Sequence, residues 1–571
     1  MKSFPKHLRP YIDAHVVQEP DLCATAVLVD VADRVVPTPV PDLAWIAMAL
    51  ALSAFRDQHV CVDFDAIHRW QADIDLSASD HPSWPLEASQ WIAALQQCPY
   101  LVHVMKTTDD VSAADVRTPF VLFGSLLYVT RAWHEESFVF SALNGDGAKD
   151  IDVLLGGPGS GKTTTVARQL IELFTDAADP LPVVALAAPT GKAAQRMTEA
   201  LQKQLTEMNA PESLRELVTR TPATTLHRLL GASPNNPENR FTYNHSNRLP
   251  HDVVIIDETS MLSLSMMHKL LQALRDDARL LLVGDPYQLA SVDAGTVLAD
   301  IEALSCQSGA TISNRVTFLT GQYRFAPDSP IAAIADAVRR GNVNDVFTVF
   351  QQGKSECEWI DPIADVEALT NIVQEVSDHA QLTLELAQKG EFLDAVKMRQ
   401  KKQVLCAIRR GRYGVSGWNN LVEGQLGVRA SAQWYVGRPI IVTTNDKTTG
   451  LFNGDVGVVC STDNAAGNRR GNAVAFPSDN GYRMVPVTRM PEHDTVHALT
   501  IHKSQGSEYE HVVVVLPDHD SRIVTRELLY TAITRARTKV TIVGSRETIE
   551  QAVLTPIVRA TGLSRRLPGG N

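Results

Sequence analysis

A chain of 571 residues is too long for one hydrophobic core and implies three or four domains. Its 44% apolar and 21% charged residues are those of an ordinary globular protein, and no apolar run is long enough to cross a bilayer. A net charge of −12 excludes a histone-like or polybasic coat for nucleic acid, so any nucleic-acid binding must come from a local groove. The start, Met1 to His7, has basic residues but no apolar stretch behind them, which argues against export. The seven cysteines are scattered, odd in number and never spaced C-x-x-C, which argues against a disulfide framework, a zinc ribbon or an iron–sulfur cluster. Reduced thiols in a cytoplasmic protein are expected.

Residues 1–130 read as a mostly helical module. Leu43 to Phe55 is apolar nearly all round, as in a buried helix, and Phe120 to Thr130 suggests a hairpin about Gly124. This module carries no metal, nucleophile or phosphate motif, so a docking role is expected of it. Residues 131–150 read as a linker ending in the turn-rich Asn144-Gly-Asp-Gly-Ala-Lys149.

From Ile151 the pattern becomes strand–loop–helix, the signature of a parallel α/β sheet. The strand 151–155 runs into L-L-G-G-P-G-S-G-K-T-T-T (Leu154 to Thr165), which fits the phosphate loop G-x-x-x-x-G-K-[ST]. Gly156, Gly157, Gly159 and Gly161, with Pro158 and Ser160 between them, let successive N–H groups turn inward on a polyphosphate. Lys162 can reach its terminal phosphates, Thr163 can ligate magnesium, and Thr164 continues the loop into its helix. Apolar strands at Val183–Ala188, Val253–Ile256 and Arg279–Gly284 follow, each ending in polar residues as a doubly covered sheet requires. Asp257 and Glu258 close one of them: Asp257 suits the magnesium shell, and Glu258 can orient and deprotonate the attacking water. Gln288 follows the next strand and can sense the γ-phosphate.

Residues 330–400 read as mostly helical. Between about 432 and 496 short strands with Gly/Asn turns indicate a small β-barrel inserted into a second α/β unit, which resumes at Ala498. The end of the chain, from Ser564, reads as a mobile tail.

The succession G-G-P-G-S-G-K-T-T-T, A-P-T-G-K-A-A-Q-R-M, T-L-H-R-L-L, I-I-D-E-T-S-M, G-D-P-Y-Q-L, Q-Y-R-F, G-L-F-N-G-D-V-G, I-H-K-S-Q-G-S-E-Y and Y-T-A-I-T-R-A-R covers residues 151 to about 545. It resembles the RecD family, the α subunits of exodeoxyribonuclease V and members of the superfamily 1B DNA helicases. The resemblance implies an α/β fold of two RecA-like parallel-sheet lobes (151–340 and 341–571), an SH3-like barrel in the second and a mostly helical N-terminal domain. It implies an ATP- and Mg2+-dependent 5′→3′ motor acting on single-stranded DNA at a duplex end, beside RecB-like and RecC-like subunits in break repair, with the nuclease in a partner. Arg324 and Arg535 would be arginine fingers from the two lobes, Lys162, Asp257, Glu258 and Gln288 the other catalytic groups, and Glu508 a nucleotide-side acid. Thr190, Lys192, Thr225, His227, Thr500, His502 and Ser504 lie in segments with which this family touches the single-strand backbone. The family usually reads adenine with a glutamine shortly before the phosphate loop, and none occurs between Trp133 and Ile151. A stand-alone RecD-like helicase and a catalytically weak structural subunit are the alternatives.

Overall fold

A computed structural model describes residues 4–37, 39–68, 85–105, 116–144, 149–176, 180–232, 241–307, 309–319, 321, 329–428, 433–446, 448–462, 471–478 and 481–567. The N-terminal module packs the helices Glu19–Asp33, Asp42–Ser53 and Ala88–Gln96 against a mixed four-stranded sheet. Its strands are β1 (Val62–Asp63), β2 (Val102–Met105), β3 (Phe120–Phe123) and β4 (Leu126–Val129), in the order β1-β4-β3-β2. The all-apolar stretch becomes the helix Asp42–Ser53, whose residues Ala44 to Ala51 are all buried because other elements cover every face. Burying each of its large side chains contributes about 1.5–3 kcal/mol. The expected hairpin is β3–β4, turning at Gly124 with φ of +57°.

The first lobe holds β5 (Asp150–Gly156), β6 (Val184–Ala188), β7 (Thr224–Thr225), β8 (Val253–Ile256), β9 (Arg279–Gly284) and β10 (Val316–Leu319), all parallel, in the order β10-β5-β9-β8-β6-β7. Strand β8 is apolar and buried throughout, as a strand covered on both faces must be. The second lobe holds β11 (Cys357–Ile360), β12 (Lys402–Cys406), β18 (Ala498–Thr500), β19 (Tyr509–Val515) and β20 (Ala536–Val543), again parallel, in the order β11-β20-β19-β12-β18. Between β12 and β18 the chain forms β13 (Pro439–Val442), β14 (Val456–Ser461), β15 (Asn472–Ser478), β16 (Gly481–Pro486) and β17 (His493–Thr495). They make an antiparallel sheet ordered β16-β15-β14-β13-β17 at the place where the barrel was expected.

Two sequence expectations are corrected. The stretch 131–150 is not a linker: most of it is the helix Thr130–Asn144, with Trp133 and Val139 in the core shared with the first lobe. Its apolar positions Ala132, Trp133, Val139 and Leu143 keep a helical spacing that the charged residues between them disguise. Nor does the expected tail begin loose at Ser564: as far as Leu567, where the described residues end, it is packed. Leu563–Arg565 is a 3-10 turn, and Arg566, 1% exposed, donates to Glu136 Oε2 at 2.9 Å and to Ser137 Oγ at 2.9 Å. Its guanidinium lies 4.0 Å from the Trp133 ring centre. Upstream, Arg559 donates to Ser291 O (2.6 Å), Gly295 O (2.8 Å) and Gln58 Oε1 (2.7 Å), and Val60 N donates to Ala560 O at 2.9 Å. This strap runs from the last helix of the second lobe, Arg546–Leu554, across the first lobe into the N-terminal module.

The strap has a pH-dependent anchor. His59 Nδ1 accepts from Ala560 N at 2.8 Å, which requires the unprotonated nitrogen, and burial pushes the His59 pKa from 6.5 down to about 4. Between those values the unfolded chain takes up a proton that the folded chain refuses, so this contribution is complete above pH 6.5 and lost as the pH falls toward 4. His59→Gln, which keeps an acceptor but does not titrate, is expected to flatten the acid-side fall of stability in denaturation series taken across that window.

Candidate nucleotide and nucleic-acid site

Three segments converge at the carboxyl edge of the first sheet, where open parallel sheets bind ligands. After β5 the phosphate loop runs from Gly157 into the helix Lys162–Asp176. Gly159 (φ +76°) and Gly161 (φ +87°) adopt backbone conformations that a side chain would strain. A Cβ on Gly156 would collide with Ser160. Lys162 Nζ donates to Gly156 O at 2.5 Å and to Gly157 O at 2.9 Å, so the ammonium is held inside the loop's own curl. Ser160 Oγ is buried with no protein partner, a polar atom that a bound phosphate group would satisfy. The loop therefore fits a nucleotide polyphosphate.

After β8 stands the Asp257–Glu258 pair. Burial, and then the Glu258 charge, raise the Asp257 pKa to about 6, against the pull of Lys162. Glu258 sits in the left-handed region (φ +53°), a strained geometry for a non-glycine residue and one that concentrates at functional sites. Two bonds hold it there: its N–H donates to Asp257 Oδ1 at 2.8 Å, and its carbonyl accepts from Met261 N at 3.1 Å. Thr259, which the motif I-I-D-E-T-S-M contains without a role of its own, ties β8 to β9 by donating to Val283 O at 2.8 Å. Among the described residues no three His, Cys, Asp or Glu side chains cluster as a metal cage. A magnesium ion held by Thr163, Asp257 and the nucleotide's own phosphates suits this donor set.

After β9 come Asp285 and Gln288, 2% and 6% exposed, and here the second lobe reaches in. Arg535, at the amino end of β20 and 3% exposed, donates from Nη2 to Gln288 Oε1 at 2.9 Å, and also to Ser507 O (3.3 Å) and Thr531 O (3.2 Å). Gln288 Nε2 donates to Asp285 Oδ2 at 3.2 Å, and Tyr530 Oη donates to the same oxygen at 3.0 Å. Leu289 N donates to Thr531 Oγ1 at 2.9 Å, and Gln505 Nε2 to Leu289 O at 3.1 Å. Burial raises the Asp285 pKa and Lys162 opposes it most, so the lysine's charge is felt by both Asp257 and Asp285. Asp285 and Tyr530 stood in the motifs G-D-P-Y-Q-L and Y-T-A-I-T-R-A-R, but only their partnership across the lobes shows their part. Arg324 lies outside the described residues.

The remaining sequence candidates fall on both lobes. Thr190 caps the helix Gly191–Glu207 by accepting from Ala193 N at 3.2 Å, and Thr225 caps Leu226–Leu229 by accepting from Arg228 N at 3.3 Å. Lys192 is half-buried and His227 exposed. On the second lobe Thr500 and Ser504 are buried, the Ser504 hydroxyl donating to Ile501 O at 2.6 Å, while His502 is exposed. Glu508 bridges the lobes, 3.0 Å from Arg196 and 2.9 Å from Arg537.

Two parallel-sheet lobes, a phosphate loop with paired carboxylates on one and a buried arginine delivered to it by the other, define a two-lobed P-loop nucleotide hydrolase. Residues 28–128 match the family model of the N-terminal domain of the RecBCD enzyme subunit RecD, 141–294 that of an AAA domain, and 495–543 that of a UvrD-like helicase C-terminal domain. The chain is 40% identical to the RecBCD enzyme subunit RecD of Mycolicibacterium smegmatis, over 100% of this chain and 99% of that one. It is 36% identical to the subunit of the same name from Mycobacterium tuberculosis H37Rv, over 97% and 94%. With the ATP-dependent RecD2 DNA helicase of Deinococcus radiodurans it shares 31% identity over 69% of this chain but 47% of that one. The chain belongs to the RecD family.

Proposed function

We propose that this chain is an ATP-dependent DNA helicase, the motor subunit of a RecBCD-type exodeoxyribonuclease V that processes broken DNA in the cytoplasm, and that it moves 5′→3′ on the single strand. The observation that carries this reading is the Arg535–Gln288–Asp285–Tyr530 bridge, which joins the second lobe to the phosphate-loop edge of the first. Lys162 neutralises the terminal phosphates, Glu258 orients the attacking water and takes its proton, and Gln288 and Arg535 report the γ-phosphate to the second lobe, with Arg324 as the other cation. A bound magnesium ion, held by Thr163 and Asp257, would add charge neutralisation at the phosphates. Gly156 to Thr164 cradle the nucleotide, with Glu508 beside it. Opening and closing of the seam moves one grip on the strand relative to the other. Thr190, Lys192, Thr225 and His227 form the first grip, and the segment Thr500–His502–Ser504 the second. With the Thr500 and Ser504 side chains turned inward, His502 is the exposed one of these three. Contacts of this kind read no sequence, as a translocating enzyme requires.

The inserted sheet is read as a small SH3-like barrel, and the domains as 1–130, 151–340 and 341–571. The N-terminal domain docks on RecB-like and RecC-like partners. Alanine at Arg535 is expected to lower ATP turnover about a thousandfold while nucleotide still binds, as checked by steady-state hydrolysis beside a titration with a fluorescent ATP analogue. The functional test is unwinding of duplexes with one single-stranded tail. Unwinding of the 5′-tailed substrate alone is expected. Unwinding of only the 3′-tailed one would reverse the polarity, and no ATP hydrolysis even with the partner subunits would favour the structural-subunit alternative, to which the missing glutamine segment points.

A further inference from the structure

The segment G-L-F-N-G-D-V-G (Gly450 to Gly457) takes no part in the nucleotide site. It forms the turn between β13 and β14, and that turn is pinned from several sides. Asp446 and Leu451 exchange backbone hydrogen bonds (2.8 and 3.2 Å), and Leu451 is fully buried as the anchor. Phe452 N donates to Asp455 Oδ2 at 2.8 Å, Asn453 N to Asn445 Oδ1 at 2.8 Å, and Arg483 Nη1 to Thr449 O at 2.8 Å. A turn held this firmly specifies the direction of its side chains, yet it presents the large apolar Phe452 43% exposed. The ring stands beside the first lobe's Thr190–Lys192 turn: Phe452 Cβ lies 3.6 Å from where a Cβ on Gly191 would sit. Burial raises the pKa of Asp455 in the same turn, and the charges of Lys192 and Arg483 oppose that rise.

We propose that Phe452 is a stacking platform for one nucleobase of the bound single strand, its backbone phosphate lying at the Thr190–Lys192 turn of the opposite lobe. This rests on the DNA-translocase reading. A phosphate at Lys192 places its own base within a nucleotide's span of the ring, and every base offers a π-face, so the contact needs no sequence preference. Because Phe452 belongs to the second-lobe insertion and Lys192 to the first lobe, one nucleotide is held by both lobes.

The test compares the full-length chain's affinity for oligothymidylate with its affinity for an abasic strand of equal length and charge. Wild type is expected to prefer the base-bearing strand. Phe452→Ala should shrink that preference about tenfold by weakening the base-bearing complex alone, and Phe452→Trp should retain it. An unchanged preference in Phe452→Ala, or an equal loss on both strands, overturns the platform while leaving the helicase reading intact. Failure of wild type to bind either strand overturns both.

Discussion

Replacing Lys162 with alanine is expected to lower ATP turnover at least about a hundredfold while leaving the fold intact. Among the described residues the ammonium donates only to the carbonyls of Gly156 and Gly157, at the surface of a half-buried loop, so its loss opens no core cavity. It also removes the positive charge that restrains the raised pKa values of Asp257 and Asp285, so both carboxyls hold their protons to higher pH in the variant. Hydrolysis measured with saturating single-stranded DNA, alongside a thermal melt, separates lost chemistry from lost structure. A variant that melts as wild type but retains more than a tenth of the turnover would remove Lys162 from its role.

The second large effect is structural and lies far from the nucleotide. Arg566→Ala is expected to destabilise the protein by about 3 kcal/mol, because it strands a carboxylate in the interior. Both side chains of the Arg566–Glu136 pair are fully buried. Glu136 keeps the hydroxyls of Tyr128 (2.9 Å) and Thr561 (2.8 Å) and the N–H of Gly562 (3.0 Å), which puts the loss at the low end for a broken buried pair. The exposed pair Arg34–Asp30, by contrast, contributes a few tenths of a kcal/mol at most. Denaturant titration of Arg566→Ala, Glu136→Gln and the double variant reads this directly. A double variant more stable than Arg566→Ala is expected, since it no longer buries an unpaired charge. Simple addition of the two losses would show that the pair is not coupled.

The phosphate loop and the Asp257–Glu258 step were legible because each is a local device, written within about ten residues of a strand end. The parallel lobes were legible for a related reason: strands such as Val253–Ile256 are apolar without interruption only when both faces are covered. What stayed hidden depends on partners remote in sequence. Ser564–Arg566 looks like a solvated basic end until Glu136, Asp63 and Trp133 are brought to it. The helix Thr130–Asn144 has its periodicity diluted by Glu135 and Glu136, and Glu136 is buried because Arg566 meets it. Ser504 lies within the motif I-H-K-S-Q-G-S-E-Y and Thr500 just before it, and the letters do not say which hydroxyls turn inward. Asp285 and Tyr530 sat unassigned inside motifs already noticed, since a hydrogen bond between lobes leaves no local mark.

A crystal structure with ADP–aluminium fluoride and single-stranded DNA bound tests most directly whether the two lobes share one nucleotide. The predicted result has the Arg535 guanidinium released from Gln288 Oε1 and donating to the fluoride, opposite Lys162. A fluoride contacted by the first lobe alone, with Arg535 still held by Gln288 and Ser507, would contradict it.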